Sequence, residues 1–334
     1  MDAHDDLAFT AWFEVLQRCE LDRDRGRRVG WLPQEWRARA LDETAPTYYE
    51  LYRYGTVRSP LAIAALEVSR ADNLNLMRGD LFVDPAHRRQ GHGSATLLHL
   101  ENRARELDRR ALMFWVVEES RERGHGPNRG FAPRQGYRVV EESVVRELKW
   151  PRPEGELAQL ETAFLAKADD YEIISWRGAA PEELVEGLAH LKAIMPLEVP
   201  DSGVGVEEEM WDNERVRHHE QRTDDMGRDL LVGVARQRAN GELVGFSELS
   251  VSRERPATAY QWDTLVTRAH RGHRLGALMK IATMRELEAG AYATTIIMTS
   301  NNALNTAMIA VNESLGAYAT DGIVTWHKSL DEET

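Results

Sequence analysis

The sequence predicts an α/β protein with mixed sheets, built as two tandem copies of one domain. The chain has 334 residues, which fits two domains of about 100 to 200 residues each. The stretch AHRRQGHG at 86–93 returns as AHRGHRLG at 269–276. In both halves, short β-branched and aromatic segments alternate with segments of helical periodicity. The repeat and the alternation together indicate two tandem domains with the same α/β fold.

The spacing of the repeat sets the expected domain boundary. Matching residues lie 183 positions apart, and the identical pairs include Asp80 with Asp263, Val83 with Val266, His87 with His270, and Gly93 with Gly276. Between the halves, KWPRPEGE at 149–156 carries two prolines, which disfavour the interiors of helices and strands. We therefore expect an N-terminal domain at 1–150 and a C-terminal domain at 151–334.

Each half shows a similar order of elements. In the second half, YEIISW and DLLVGVAR are expected strands, ELVGFSELS and TAYQWDTLVT an antiparallel hairpin, and TTIIM (294–298) a short buried strand. One helix is expected to begin at the loop itself and another to run from Asn305 to Glu313. The first half repeats this order with SPLAIAALEVS, LNLMRGDLFV, a helix from Ser94 and ALMFWVV, but it lacks an opening strand.

Composition narrows the possible functions. Apolar residues make up 42% and charged residues 29% of the chain, as in a globular protein. The net charge of −13 disfavours nucleic acid and anionic membranes as partners and favours a cationic small molecule. Cys19 is the single cysteine, so neither an intrachain disulfide nor a cysteine-based zinc site is indicated. The sequence starts without the features of a signal peptide, and we expect a cytoplasmic protein with no metal site.

The repeated loop leaves a strand and opens a helix, which is the arrangement of an anion-binding site. The first amides of a helix have no intrahelical acceptor, and the helix dipole adds positive potential there, so a diphosphate fits such a cradle. We expect the glycines to allow close approach and four arginines to supply charge, namely Arg88, Arg89, Arg271 and Arg274. A glycine-containing turn with solvated arginines is the alternative, but the same context occurring twice favours the cradle.

The loops resemble the signature of the GNAT acyl-CoA-dependent N-acyltransferases, R/Q-x-x-G-x-G/A after a strand that ends in valine. RRQGHG follows Val83 and RGHRLG follows Val266. NNALNTAMIAVNESLGAY (301–318) is similar to the family segment after the next strand. The resemblance covers both halves, and the tandem arrangement is similar to that of mycothiol synthase and of many actinobacterial acyltransferases. It implies two GNAT domains and the activity of an N-acetyltransferase.

The resemblance implies that acyl-CoA binds where two strands diverge beside the loop. Backbone amides near Leu265 and Val266 would polarise the thioester carbonyl, and Asn305 would contact the pantetheine arm. The expected CoA-binding residues of the second half are Leu265, Val266, Thr267, Arg271, Gly272, His273, Arg274, Leu275, Gly276, Ala277, Asn301 and Asn305. Those of the first half are Val83, Arg88, Arg89, Gln90, Gly91, His92, Gly93 and Ser94. A primary amine of a small molecule would then attack the acetyl or related acyl group directly.

A general base is needed because an amine with a pKa near ~10 must lose a proton before it attacks. The centres of the two hairpins place Glu248 opposite Asp263, and Glu67 opposite Asp80. Two facing carboxylates that are partly desolvated would raise one pKa, and we predict Glu248 and Asp263 as the catalytic pair. The alternative is that both pairs lie at solvated strand ends.

The chain also departs from the family pattern. Tyr260 stands where family members frequently have a carboxylate, and Asn312 and Ala132 stand where many have a tyrosine that protonates the leaving thiolate. A catalytically silent acyl-CoA-binding sensor or assembly protein is therefore an alternative function. A third possibility is an acyltransferase whose donor is an acyl carrier protein, because the phosphopantetheine arm is identical.

The second half is the expected site of catalysis, because it has the full strand set and Asn305, where the first half has His125. Arg274 replaces the Gly91 of the first loop, at little cost if its φ is negative. The acidic run VEEEMWDNE (206–214) is expected either to select a cationic amine or to be a solvated helix face. HHE at 218–220 lacks metal-site spacing and is expected on the surface.

Overall fold

The computed structural model describes residues 1–23, 30–119, 127–198, 204–205 and 207–331. The chain forms two compact units. Unit 1 comprises Met1–Glu141 with Val324–Thr334, and unit 2 comprises Glu142–Ile323. Both are mixed α/β, which confirms the predicted fold class. In the part of the chain that is described, no helix is both long and apolar enough to cross a membrane.

Unit 1 opens with two helices and then builds its sheet. Its elements are α1 (Asp6–Arg23), α2 (Pro33–Leu41), β1 (Thr47–Gly55), β2 (Pro60–Ser69), β3 (Leu76–Val83), α3 (His92–Glu106), β4 (Ala111–Glu119), α4 (Pro127–Phe131) and the start of β5 (Arg138–Lys149). The strand order is β1-β2-β3-β4. As predicted, no strand is found before α1 among the described residues.

Unit 2 has the same plan with a strand in front. Its elements are α5 (Glu156–Leu165), β6 (Tyr171–Arg177), α6 (Glu182–Glu198), α7 (Asn213–Asp225), β7 (Arg228–Gln237), β8 (Leu243–Ser252), β9 (Thr258–Val266), α8 (Leu275–Ala289), β10 (Ile296–Asn302), α9 (Thr306–Ser314) and the start of β11 (Tyr318–Ser329). The strand order is β5-β10-β9-β8-β7-β6. The expected strands and hairpin are present, but β10 begins later than TTIIM and is only partly buried.

The compact units divide the chain differently from the sequence repeat. β5 belongs to the first repeat by sequence, yet it pairs antiparallel with β10 from Ile296 opposite Lys149 to Asn302 opposite Ser143. The end of β11 lies in unit 1, where Leu330 N donates to Arg110 O at 2.7 Å. The last strand of each repeat therefore completes the other unit, and the boundary near residue 150 describes the sequence repeat only.

Helices cover both faces of the sheet in unit 2. α6 and α7 pack on one face through a cluster that includes Leu188, Val216 and Phe246. α8 packs on the other face, and Gly233 allows its close approach, because a Cβ there would lie 2.7 Å from Met279 O. β8 is buried at every position. The site residues of this strand are therefore held by packing on both sides.

Candidate active site

The two loops have the same hydrogen-bonding plan at the start of the helix that follows. The first helical bond of α3 runs from Ala95 N to Gly91 O at 3.0 Å, and that of α8 runs from Leu278 N to Arg274 O at 3.1 Å. The amides before each of these bonds have no intrahelical acceptor. They are His92, Gly93 and Ser94 in unit 1, and Leu275, Gly276 and Ala277 in unit 2.

Each loop bends through two residues of positive φ, and each uses one glycine and one arginine for them. In unit 1 these are Arg89 (φ 63°) and Gly91 (φ 88°), and in unit 2 they are Gly272 (φ 91°) and Arg274 (φ 60°). The condition under which Arg274 would cost little, a negative φ, is not met, because this residue keeps the left-handed turn that Gly91 makes in the first copy. The same backbone is therefore built with the glycine at either of two positions.

The first arginine of each loop braces it, by linking the end of the preceding strand to a carboxylate on a helix. Arg88 Nε donates to Val83 O at 3.3 Å while its Nη1 pairs with Asp22 at 2.6 Å. In unit 2, Arg271 Nε donates to Val266 O at 3.0 Å and its Nη2 pairs with Glu198 at 2.6 Å. These guanidinium groups were expected to supply charge to a phosphate, but each is already paired with a helix carboxylate. Arg89 and Arg274 are exposed and have no carboxylate partner among the described residues, although Arg274 lies 5.7 Å from the Phe164 ring.

Two further loop residues serve the loop itself. Thr267 donates both its N–H, at 2.9 Å, and its hydroxyl, at 3.2 Å, to Val244 O, so neither group faces a ligand. The His273 ring lies 3.2 Å from Lys167 O and packs against Tyr171 of the opening strand β6. Gln90 and Gly272 are exposed at the loop tips.

The pairing of two parallel strands ends beside the loop in each unit, and we call the space between the separating strands the cleft. β9 and β10 pair only from Thr258–Tyr260 to Ile296–Met298, and their later residues diverge. Because Thr267 N is bonded to β8, strand alternation turns the N–H of Leu265 to β8 and that of Val266 into this cleft. Val266 therefore fits the role expected of a carbonyl-polarising amide, and Leu265 does not. In unit 1, β3 and β4 diverge after Gly79 and Phe114.

The two clefts differ in their lining. In unit 2, Lys280 Nζ donates to Asn312 Oδ1 at 2.6 Å, and Asn312 Nδ2 donates to Asn301 Oδ1 at 3.2 Å. Arg146 of β5 also donates to Asn301 Oδ1 at 3.2 Å. In unit 1, the residues matching Lys280 and Asn312 are Leu97 and Ala132. These two are buried in an apolar cluster with Phe114, Val116 and Phe131.

Asn305 is committed to a helix end. Its side-chain oxygen accepts a hydrogen bond from Met308 N at 3.1 Å and caps α9. The contact with a pantetheine arm expected of Asn305 would therefore have to come from its amide NH2. Asn301, four residues earlier near the end of β10 and 9% exposed, belongs to the polar lining of the cleft. His125, the first-half counterpart of Asn305, lies outside the described residues.

Glu248 is a buried, ion-paired carboxylate. Its Oε1 lies 2.7 Å from Lys192 Nζ, and its Oε2 lies 3.5 Å from His219 Nε2. Burial acts to raise the pKa of Glu248, but Lys192 and His219 outweigh it and hold that pKa well below its ordinary value. Glu248 was predicted as one of the catalytic pair, but it stays ionised and paired, which is unsuitable for a general base.

Asp263 sits on a β-bulge directly across from Glu248. The β8–β9 register shifts between Ser247 and Leu249. As a result Gln261 and Thr264, three residues apart, both bond Ser247 Oγ, at 3.0 and 2.7 Å. The bulge leaves the Asp263 side chain exposed, although protein surrounds it on most sides. Burial first, and then Glu248 and Glu209, raise the pKa of Asp263. Asp263 therefore has the properties expected of the base.

The carboxylates of unit 1 have a different register. Glu67 lies opposite Arg78, and Asp80 lies opposite Ala65, so the predicted facing of Glu67 and Asp80 was wrong by two residues. Tyr49 donates its hydroxyl to Glu67 at 2.8 Å. Burial raises the pKa of Asp80 to about 6, although the nearby Arg39 opposes it. Unit 1 has no bulge at this point of the β2–β3 ladder.

Sequence reasoning missed two lysines and a histidine. Lys192 is 4% and Lys280 is 2% exposed, and each is a lone cation in an otherwise apolar stretch of helix. That pattern is the signal that would have found them, because lysine is rarely buried without a partner. His219 was expected on the surface but contacts Glu248, and its ring packs edge-on against Trp211.

The comparisons with known proteins agree with this architecture. Residues 9–127 match the Acetyltransferase (GNAT) family. A tandem GNAT protein from the clavulanic acid biosynthesis pathway is 24% identical, with a TM-score of 0.76 over 100% of this chain and 98% of that one. This chain has the fold of a tandem GNAT protein. A GCN5-related N-acetyltransferase from Sphaerobacter thermophilus has the same fold at 14% identity and a TM-score of 0.64, over 98% and 94% of the two chains. No curated protein matches the sequence.

Proposed function

We propose that this tandem GNAT protein transfers an acetyl or related acyl group from acyl-CoA to a primary amine of a small molecule, and that unit 2 does the chemistry. The observation that carries the proposal is the arrangement of unit 2. Helix-start amides without an intrahelical acceptor, the Val266 N–H facing a polar cleft, and the bulged Asp263 occur along one strand–loop–helix segment. The match of residues 9–127 to the Acetyltransferase (GNAT) family and the tandem GNAT fold support the reaction class.

The donor would bind along the loop and enter the cleft. The amides of Leu275, Gly276 and Ala277 would hold the diphosphate at the positive end of α8. A Cβ at Gly276 would lie no closer than 3.8 Å to its neighbours, so the backbone there is open to approach. The Val266 N–H would donate to the thioester carbonyl, which gains negative charge when the amine attacks.

The acceptor side is acidic and aromatic. Glu209 influences the pKa of Asp263, and its main-chain N donates to Ala193 O at 3.1 Å, so the acidic run reaches the site. Trp211 donates its ring N–H to Glu209 at 2.8 Å and packs on Lys192 at 4.8 Å. Arg215 already pairs with Glu209 at 3.6 Å and lies 4.6 Å from the Trp211 ring. Asp263 is therefore the carboxylate left to attract a cationic amine. Asp263 would remove a proton from this ammonium group, and the free amine would attack the carbonyl carbon.

The test is a thiol-release assay with acetyl-CoA and a panel of primary amines of increasing positive charge. We expect at least one cationic amine to release thiol well above the hydrolysis background. Tight CoA binding with no amine-dependent release would favour the silent acyl-CoA binder. Release from an acylated carrier protein, but not from acetyl-CoA, would favour the carrier-protein donor.

A further inference from the structure

Lys280 is a buried cation without a buried anion. It is 2% exposed, and its recorded partner is the neutral amide oxygen of Asn312 at 2.6 Å. Lys192 is buried to the same degree but has Glu248 at 2.7 Å. In the part of the chain that is described, no carboxylate lies within ion-pair distance of Lys280. A buried ammonium in this state is costly unless it loses its proton or an anion comes next to it.

The ammonium group of Lys280 is linked to β10 through Asn312 and Asn301. One turn later on α8, the Thr283 hydroxyl lies 3.4 Å from Gln261 Oε1 of β9. Gln261 directly follows Tyr260, which is the last residue of β9 that pairs with β10. α8 therefore contacts β9 at the point where the pairing ends, and Lys280 is the buried cation on this part of the helix.

We propose that Lys280 stabilises and protonates the thiolate that leaves the acyl donor, in place of the tyrosine that this chain lacks. The proposal rests on the proposed function of unit 2. The amine nitrogen forms a bond with the carbonyl carbon, and the carbon–sulfur bond breaks with its electron pair moving to sulfur. The sulfur then takes a proton from the Lys280 ammonium group. Lys280 recovers a proton from solvent, which balances the one that Asp263 removed from the amine.

The surroundings of Lys280 agree with a proton donor. Burial lowers the pKa of Lys280 to about 7, so its ammonium group is acidic enough to give up a proton near neutral pH. The charged groups next to this network are Arg146 from β5 and Glu313 from α9, which lie 3.5 Å from each other. The unit 1 residue at the matching position is Leu97, so this position carries no proton donor in unit 1.

The experiment measures the pKa of the CoA thiol while it is bound to unit 2. Ultraviolet absorbance of the thiolate is followed against pH in the full chain carrying Gly93→Glu, which blocks the unit 1 loop. We expect the bound thiol to ionise at lower pH than free CoA, with at least a tenfold larger thiolate-to-thiol ratio. Lys280→Met should abolish this shift, and Lys280→Arg should retain part of it. Leu97→Met is the matched control and should leave the shift unchanged.

The outcomes separate this proposal from the proposed function. If CoA does not bind to unit 2, both fail. If CoA binds and its thiol ionises as in free solution, the Lys280 proposal alone is overturned, and this result needs no variant at Lys280. A thiol shift that persists in Lys280→Met also overturns it. If Lys280 had only a structural role, the pKa of the bound thiol would be the same in the parent chain and in every variant.

Discussion

Unit 1 and unit 2 build their loops with the same backbone and line their clefts with different chemistry. Both loops have two positive-φ residues, a braced arginine and three helix-start amides without an intrahelical acceptor. The cleft beside the loop is lined by Leu97 and Ala132 in unit 1, and by Lys280 and Asn312 in unit 2. Under the proposed function, the shared loop predicts coenzyme binding in both units, and the lining of the cleft predicts which unit reacts.

The carboxylates repeat this contrast. Asp263 is turned out by a bulge and faces the ion-paired Glu248, while Asp80 lies in an unbroken ladder opposite Ala65. Both aspartates have a raised pKa, for which burial is the main cause. A raised pKa alone therefore does not identify the base. The feature that distinguishes Asp263 from Asp80 is the bulge.

The largest effect is expected from Asp263→Asn, which removes the proposed base from the reacting unit. We expect amine-dependent thiol release to fall by about 10²- to 10⁴-fold, with CoA binding unchanged. Asp80→Asn is the matched control and should leave turnover within a factor of about two, well below the loss that removal of a general base causes. Equal losses in the two variants would contradict the division of roles between the units.

Lys192→Met tests whether the Glu248 ion pair is structural support for Asp263. Removing the lysine leaves a buried carboxylate without its cation, and we expect unit 2 to lose about 3–5 kcal/mol of stability. Adding Glu248→Gln should restore much of that loss. The measurement is urea unfolding followed by tryptophan fluorescence of the three chains. A single variant as stable as the parent would show that the pair contributes little.

Asp80 gives unit 1 a pH dependence that can be measured. Its folded pKa of about 6 lies above the unfolded value of about 4, so its carboxyl group binds a proton more tightly in the folded state. Its contribution to stability is present below about pH 4 and is lost as the pH rises through about 6. Asp80→Asn should make the urea midpoint of unfolding less dependent on pH between about pH 4 and pH 6. An unchanged slope would contradict the raised pKa.

The smallest effect concerns the positive-φ positions at which one loop has glycine and the other has arginine. Arg274→Gly and Arg89→Gly should each stabilise the chain by up to about 1 kcal/mol, because glycine adopts the left-handed conformation without strain. Gln90→Gly, at a loop position without a positive φ, should bring no gain. Thermal unfolding of the three variants provides the test, and a loss at Arg274→Gly would point to a contact of its guanidinium group in the folded loop.

The sequence was enough to predict the tandem fold, the strand–loop–helix segments and the hairpins, because these follow from local patterns and from the repeat. The sequence could not predict that β5 pairs within unit 2 and that the end of β11 lies in unit 1. Strand pairing outside a hairpin leaves no local signal in the sequence. The bulge at Asp263 and the two-residue shift at Asp80 were equally hidden, because centring a hairpin assumes an unbroken ladder. Lys192 and His219 join the site only through tertiary packing of α6 and α7 on β8.

The most direct test of the account is a paired loop experiment. Gly276→Glu and Gly93→Glu each place a carboxylate at a helix start where a diphosphate would lie, one in each unit. CoA stoichiometry by calorimetry and thiol release are measured for both. The account predicts that Gly276→Glu abolishes turnover and that Gly93→Glu preserves it. Intact turnover in Gly276→Glu with loss in Gly93→Glu would contradict it.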